Sequence, residues 1–231
     1  MYTLCILQGV WYDMPFTEQG AAAVAEMELP TNIKPKARRM PRAKREQQLQ
    51  NVALQLFIEH GYQGTSMEDI ASAAGVTRPI VYNHFGSKDG IYLSCLRRAR
   101  ESLDQHLVDA AKDLSTLEGR LQASVEGYFT FVEENRSSWH LLFGGGAAIA
   151  GTASDEASRL RFLTVEKITQ LLFGVVKGID IESCEAFAHG ASGAGEQIAK
   201  WWLQNPHVPK QQVIELMNKF TWSGLKALQQ P

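Results

Sequence analysis

Three cysteines in 231 residues, Cys5, Cys95 and Cys184, stand far apart, with no paired spacing and no histidine pattern beside them. That argues against a disulfide framework and offers no zinc-site spacing; it suits a reducing, cytoplasmic setting. Long apolar runs are lacking too. No stretch approaches the ~20 residues that a membrane-spanning helix needs, and the short apolar run at the N-terminus has no basic segment ahead of it. Neither secretion nor membrane insertion is expected. Catalytic signatures are missing: there is no serine elbow, no pair of histidines at metal-ligand spacing and no dinucleotide fingerprint. Gly144-Gly-Gly-Ala-Ala-Ile-Ala-Gly151 looks like a phosphate loop but has neither the Walker lysine nor a preceding strand, so it reads as a connection between helices. An alternating strand signal is found nowhere. No metal, no cofactor and no enzyme are expected, a helical enzyme being the weakest of the alternatives.

What the chain does have is apolar material, 45% of its residues, enough for a buried core. It also has a lopsided charge. The net −2 conceals twelve Lys/Arg against five Asp/Glu in residues 34–100, an excess of seven, which leaves −9 for the rest. A basic module in an otherwise acidic chain is the footprint of a surface that meets nucleic acid. Residues 1–33 show no sustained period and read as a poorly ordered leader, and an upstream extension of the start codon would look the same. Lys34, Lys36, Arg38, Arg39, Arg42, Lys44 and Arg45 then follow without an acid between them, as an arm gripping phosphates or the minor groove would.

Two short helices joined by a glycine turn are written into residues 65–85. Ser66 is a natural N-cap, with Glu68 and Asp69 in the opening turn, where carboxylates suit the positive helix end. Gly75 supplies a positive φ where that helix stops. Thr77 caps the next helix, 78–85, with Pro79 in its first turn. After Gly86, Ser87 caps a third helix that runs towards residue 107. Ile80, Val81 and Phe85 have the spacing to face inward, which leaves Thr77, Arg78, Pro79, Tyr82, Asn83 and His84 outward. This is a helix-turn-helix, whose second helix presents its early side chains to a DNA major groove. Arg78 and Asn83 suit base edges, and Tyr82, His84 and Lys88 suit phosphates. Ser66 joins the DNA-facing set.

The wording is more specific than the pattern. Gly61-Tyr-Gln-Gly-Thr-Ser-Met-Glu-Asp-Ile-Ala71 and Ala74-Gly-Val-Thr-Arg-Pro-Ile-Val-Tyr-Asn-His-Phe-Gly-Ser-Lys-Asp89 resemble the DNA-binding domain of TetR-type repressors over residues 42–96. Beyond that, the chain matches the family only in length and helical character. The resemblance implies a homodimer on double-stranded operator DNA, released by a small-molecule effector. Tyr62 resembles the aromatic placed between the first two helices and is expected to pack beneath the head.

The expected fold is all-α: a leader over 1–41, a three-helix head over 42–96 and a helical effector-binding and dimerisation body over 97–231. Helix one spans 42–60. The body helices fall at 117–134, 138–143, 154–174, 181–205 and 210–228. In the last two, Phe187, Ala191, Ala194, Ile198, Met217, Phe220 and Leu225 recur at spacings of three and four beside small residues, the pattern of a helical hairpin that pairs with its copy. Phe129, Trp139, His140, Phe143 and Phe173 are the candidate walls of an effector cavity, with internal packing as the plainer alternative. A sealed body would indicate a constitutive DNA-binding dimer without a ligand, and a void would indicate ligand control.

Overall fold

The computed structural model describes residues 2–7, 10–15, 40–144, 152–176 and 179–228. They fall into two units, Met1–Pro41 and Arg42–Pro231, each taken by itself. In the first, β1 (Tyr2–Leu7) and β2 (Val10–Pro15) pair antiparallel, from Tyr2 opposite Pro15 to Leu7 opposite Val10. This corrects the expectation of a leader without strands. The runs do not alternate apolar with polar residues, but Thr3, Ile6, Val10, Trp11 and Tyr12 favour extended backbone, and two residues, Gln8 and Gly9, separate them in the sequence. Lys34, Lys36, Arg38 and Arg39 of the proposed arm lie outside the described residues.

The second unit is all-α, with nine helices among the described residues: α1 (Arg42–His60), α2 (Met67–Ala73), α3 (Arg78–Phe85), α4 (Lys88–Ala111), α5 (Leu117–Glu134), α6 (Arg136–Phe143), α7 (Thr152–Val175), α8 (Ile181–Gln204) and α9 (Lys210–Leu228). The expected helices are all present, with ends shifted by a few residues. The glycine-rich connection at 145–151 lies outside the described residues.

Local chemistry sets the head. Ser66 Oγ accepts from the Asp69 N–H at 3.1 Å while Asp69 Oδ2 accepts from the Ser66 N–H at 2.8 Å, a reciprocal capping box that opens α2. Gly75 turns the chain between α2 and α3 at φ +64°, and Gly86 does so between α3 and α4 at φ +73°, a region that a Cβ disfavours. Leu49, Ala53 and Phe57 of α1 close over Ile70, Ala71 and Val81 to form the head's interior. Tyr62 packs there as expected, between Phe57 and Tyr92, with its hydroxyl donating to Asp89.

The same core continues without a break from Leu49 to Met217. The means is α4, which packs along α5 and also against α1, α3, α6 and α7. Its first turns hold Ile91, Tyr92 and Leu96 in the head, and its later turns hold Ala99 and Leu103 further along the same core. In the body α8 packs on α7 and α9, and α9 on α5. Among the described residues, no helix is long and apolar enough to cross a membrane.

Candidate nucleic-acid interface and ligand cavity

Thr77, Arg78, Pro79, Tyr82 and Asn83 stand exposed on α3. Thr77 occupies the N-cap position, but its side chain makes no capping hydrogen bond, so its hydroxyl is not spent on the helix. Arg78 Nη2 donates to Tyr82 Oη at 3.1 Å, with the guanidinium 5.3 Å from the ring centre. This partner one turn on pushes the Arg78 value up and lays the side chain along the helix surface. Arg42 Nη2 reaches the Asn83 carbonyl at 3.5 Å and so links the start of α1 to the end of α3. Lys44 is exposed beside it, and Arg45 is half-buried against Gln48.

Two members of the DNA-facing set are placed differently. His84 faces inward: its side chain is only 10% exposed, its ring lies beside Phe85, and Nδ1 sits 4.0 Å from Glu46. The cause is helical spacing, since 81, 84 and 85 share one face and Val81 is fully buried on it. Lys88 is engaged within the head. Its ammonium donates to the Tyr62 carbonyl at 3.0 Å and sits 4.3 Å from that ring's centre, so at most two of its three donors remain for a phosphate. Ser66 is exposed, yet its hydroxyl also donates to Asp69 Oδ2 at 2.6 Å and is committed to the cap.

In the body, residues of α4, α5, α6, α7, α8 and α9 line a half-open cavity of about 310 Å³. Leu107 and Val108 of α4, Leu121, Val125 and Tyr128 of α5, Ile168 and Leu172 of α7 and Met217 of α9 give it an apolar wall, and Phe129 and Phe143 line it as well. Trp139, His140 and Phe173 do not. Trp139 is 2% exposed and lies behind the wall, where its Nε1 donates to Tyr128 Oη at 2.9 Å and fixes that ring against the cavity. His140 is exposed at the surface, and Phe173 is 54% exposed, because on α7 residue 173 is turned about 100° from residue 172 and Leu172 takes the inner side. Tyr128 is among the lining residues that sequence reasoning missed, as are Asp104, Leu107, Lys167 and Leu172. The stripe Leu117, Leu121, Val125, Tyr128 was legible at helical spacing and marks the cavity face of α5. Burial pushes the Tyr128 phenol up, so it stays protonated. A second hollow, of about 510 Å³, lies among Gln47, Arg98, Glu133 and Arg136 and lacks an apolar wall.

The seven residues assigned to a dimer contact also divide. Leu225 is fully buried and Met217 and Ala191 face the cavity, while Ala194 and Ile198 are half-buried on the main core and Phe187 on a smaller cluster with Leu172 and Cys184. Their common stripe is therefore spent largely inside the protomer, on α5 and α7. Phe220, 57% exposed, points outward, in company with Trp201 and Leu216. At Gly190 and Gly193 of α8 an added Cβ would meet open space.

Two family descriptions match the chain: "Bacterial regulatory proteins, tetR family" over residues 49–95 and "Tetracyclin repressor-like, C-terminal domain" over residues 117–224. The second extends the likeness into the body, which the sequence alone did not. The transcriptional activator FasR of Mycolicibacterium smegmatis is 30% identical over 191 residues, covering 81% of this chain and 85% of its own. A TetR-like regulator from Rhodococcus sp. RHA1 superposes with a TM-score of 0.68 at 28% identity, covering 81% of this chain and 99% of that one. AibR, solved in complex with isovaleryl coenzyme A and operator DNA, shares the fold with a TM-score of 0.63 at 18% identity, covering 76% of this chain and 97% of its own. With a helix-turn-helix head and a helical body both matched, this chain belongs to the TetR family of DNA-binding, non-enzymatic transcriptional regulators.

Proposed function

We propose that the protein works as a homodimer whose two α3 helices read the half-sites of a DNA operator, and that an apolar small molecule in the body cavity changes its affinity for that operator. One observation carries this reading. The first turn of α4 follows directly on α3, and the later turns of the same helix, at Asp104, Leu107, Val108 and Ala111, line the cavity. Two recognition helices must sit about one helical turn of DNA apart, ~34–36 Å, or a multiple of it. A ligand that binds better to a differently spaced dimer lowers DNA affinity by that difference in binding free energy. The void supports ligand control over a constitutive dimer with a sealed body. Its volume lies at the small end of the ~300–1,000 Å³ usual for small-molecule sites.

Dimerisation is assigned to the outward face of α8 and α9, where Trp201, Leu216 and Phe220 are exposed and Gly190 and Gly193 allow close helix approach. Thr77, Arg78, Pro79, Tyr82 and Asn83, with Arg42, Lys44 and the basic run before them, form the DNA-facing surface. Effector-released DNA binding is the direction we favour. Its sign at a promoter depends on where the operator lies, and FasR is an activator. Footprinting the protein on its own upstream DNA tests the reading: two protected half-sites centred about one turn apart, or a multiple of it, are expected. A single unpaired footprint, or none, would oppose it.

A further inference from the structure

We infer that the cavity is built for an apolar molecule carrying one anionic group, such as a carboxylate, which seats against Lys167 and displaces Asp104 from it. This rests on the cavity being a ligand site and adds the charge of the ligand. Among the described residues, Asp104 of α4 and Lys167 of α7 are the only charged side chains in an otherwise largely apolar lining. They are paired through Asp104 Oδ2. The other carboxylate oxygen takes Arg100, one turn back on α4, whose side chain is 3% exposed. Arg100 also donates to Thr164, another lining residue, and its buried Nε has no partner among the described residues.

Two cations thus share one carboxylate at the edge of an apolar chamber, an excess of one positive charge. The next ion pair along the seam between α4 and α7, Arg97 with Glu156 at 3.1 Å, is neutral in itself and does not offset that excess. Uncompensated charge beside a low-dielectric space favours an anion there and disfavours a cation. Arg100 is locked by burial. Lys167 is 49% exposed on a flexible stem and can turn from Asp104 to a ligand. The Lys167–Asp104 pair is one of three polar bridges from α7 to α4, with Arg97–Glu156 and Arg100–Thr164, so the exchange removes one tie on the helix that continues from α3 and leaves two. The charge that selects the ligand is then also the contact that reports it.

Calorimetric titration of the full chain with three probes of one chain length, decanoate, decanol and decyltrimethylammonium, tests this. Decanoate should bind at least about tenfold tighter than decanol, the margin of a charge-assisted hydrogen bond, and the cation more weakly than either. Lys167→Met should bring decanoate down to the affinity of decanol while leaving decanol unchanged. Asp104→Asn should tighten decanoate, because the competing carboxylate is gone. Equal binding of decanoate and decanol by the wild type, or a preference that survives Lys167→Met, overturns the charge assignment and leaves the cavity as a ligand site. Failure of Asp104→Asn to tighten decanoate overturns the displacement step. No binding of any probe overturns the cavity reading, and this inference with it.

Discussion

In the head, nearly every turn is fixed by a residue acting on its immediate neighbours, whereas in the body the helices are placed by faces that meet across long stretches of chain. Ser66 and Asp69 close their cap over three residues, and Gly75 and Gly86 make their turns alone. By contrast Trp139 reaches Tyr128, Arg100 reaches Thr164, and Leu225 is covered by a cluster that includes Leu172 and Cys184. The functional surfaces divide the same way. The head presents its working side chains outside a finished fold, so they can change without disturbing it. In the body the cavity wall and the core are the same residues, and stability and ligand binding change together.

Trp139→Ala against His140→Ala should part the two kinds of residue most widely. Removing the buried indole leaves a cavity and frees Tyr128, at a cost of ~3–5 kcal/mol in urea unfolding. Loss of the exposed His140 should stay within ~0.5 kcal/mol. Comparable losses would mean that the aromatic pair acts as a unit. Next, Leu225→Ala should lower stability by ~2–5 kcal/mol whatever the association state, because Leu225 is covered within the protomer. Phe220→Glu should leave the protomer folded but monomeric by sedimentation, since a charge at the centre of an apolar contact is desolvated without a partner. A folded Phe220→Glu dimer would place the interface elsewhere.

Within the head, Ser66→Ala should cost ~0.5–2 kcal/mol of stability through the lost cap, while Thr77→Ala, with no capping bond to lose, should leave the melting curve unchanged and lower DNA affinity. The reverse pattern would exchange their roles. The smallest effect is with pH. The Ser66 hydroxyl, and then its N–H, hold the Asp69 carboxyl below the usual carboxylate range; the Ser183 N–H, and then its hydroxyl, do the same for Asp180 at the start of α8. A folded-state value below the unfolded one stabilises above the ordinary carboxylate range, and that contribution is lost as pH falls through the depressed value. Unfolding curves of Asp69→Asn should therefore show a shallower acid-side decline than wild type, and Asp180→Asn the same in the body. An unchanged decline would show that neither cap carries the acid sensitivity.

This division explains what could be read from the chain. Helix positions were legible throughout because caps, prolines and 3.6-residue stripes are local. In the head the same signals also fixed the exposed set, except at His84, where spacing from Val81 outweighs the polar character of the side chain. In the body an apolar stripe marks a buried face without naming what buries it. Ala191, Met217 and Leu225 looked like a partner's contact and instead meet their own protomer, and Trp139 looked like a wall and lies behind one. The β1–β2 pair escaped because Leu4-Cys5-Ile6-Leu7 and Val10-Trp11-Tyr12 are unbroken apolar runs with no polar alternation to mark a strand.

The claim on which the rest depends is that α3 reads sequence through Arg78. Anisotropy titrations of wild type and Arg78→Ala on the footprinted duplex and on a scrambled one, at a single salt concentration, address it directly. The account predicts a roughly 5- to 150-fold loss on the footprinted duplex and much less on the scrambled one. Equal losses on both, or a wild type that does not distinguish the two, would contradict it.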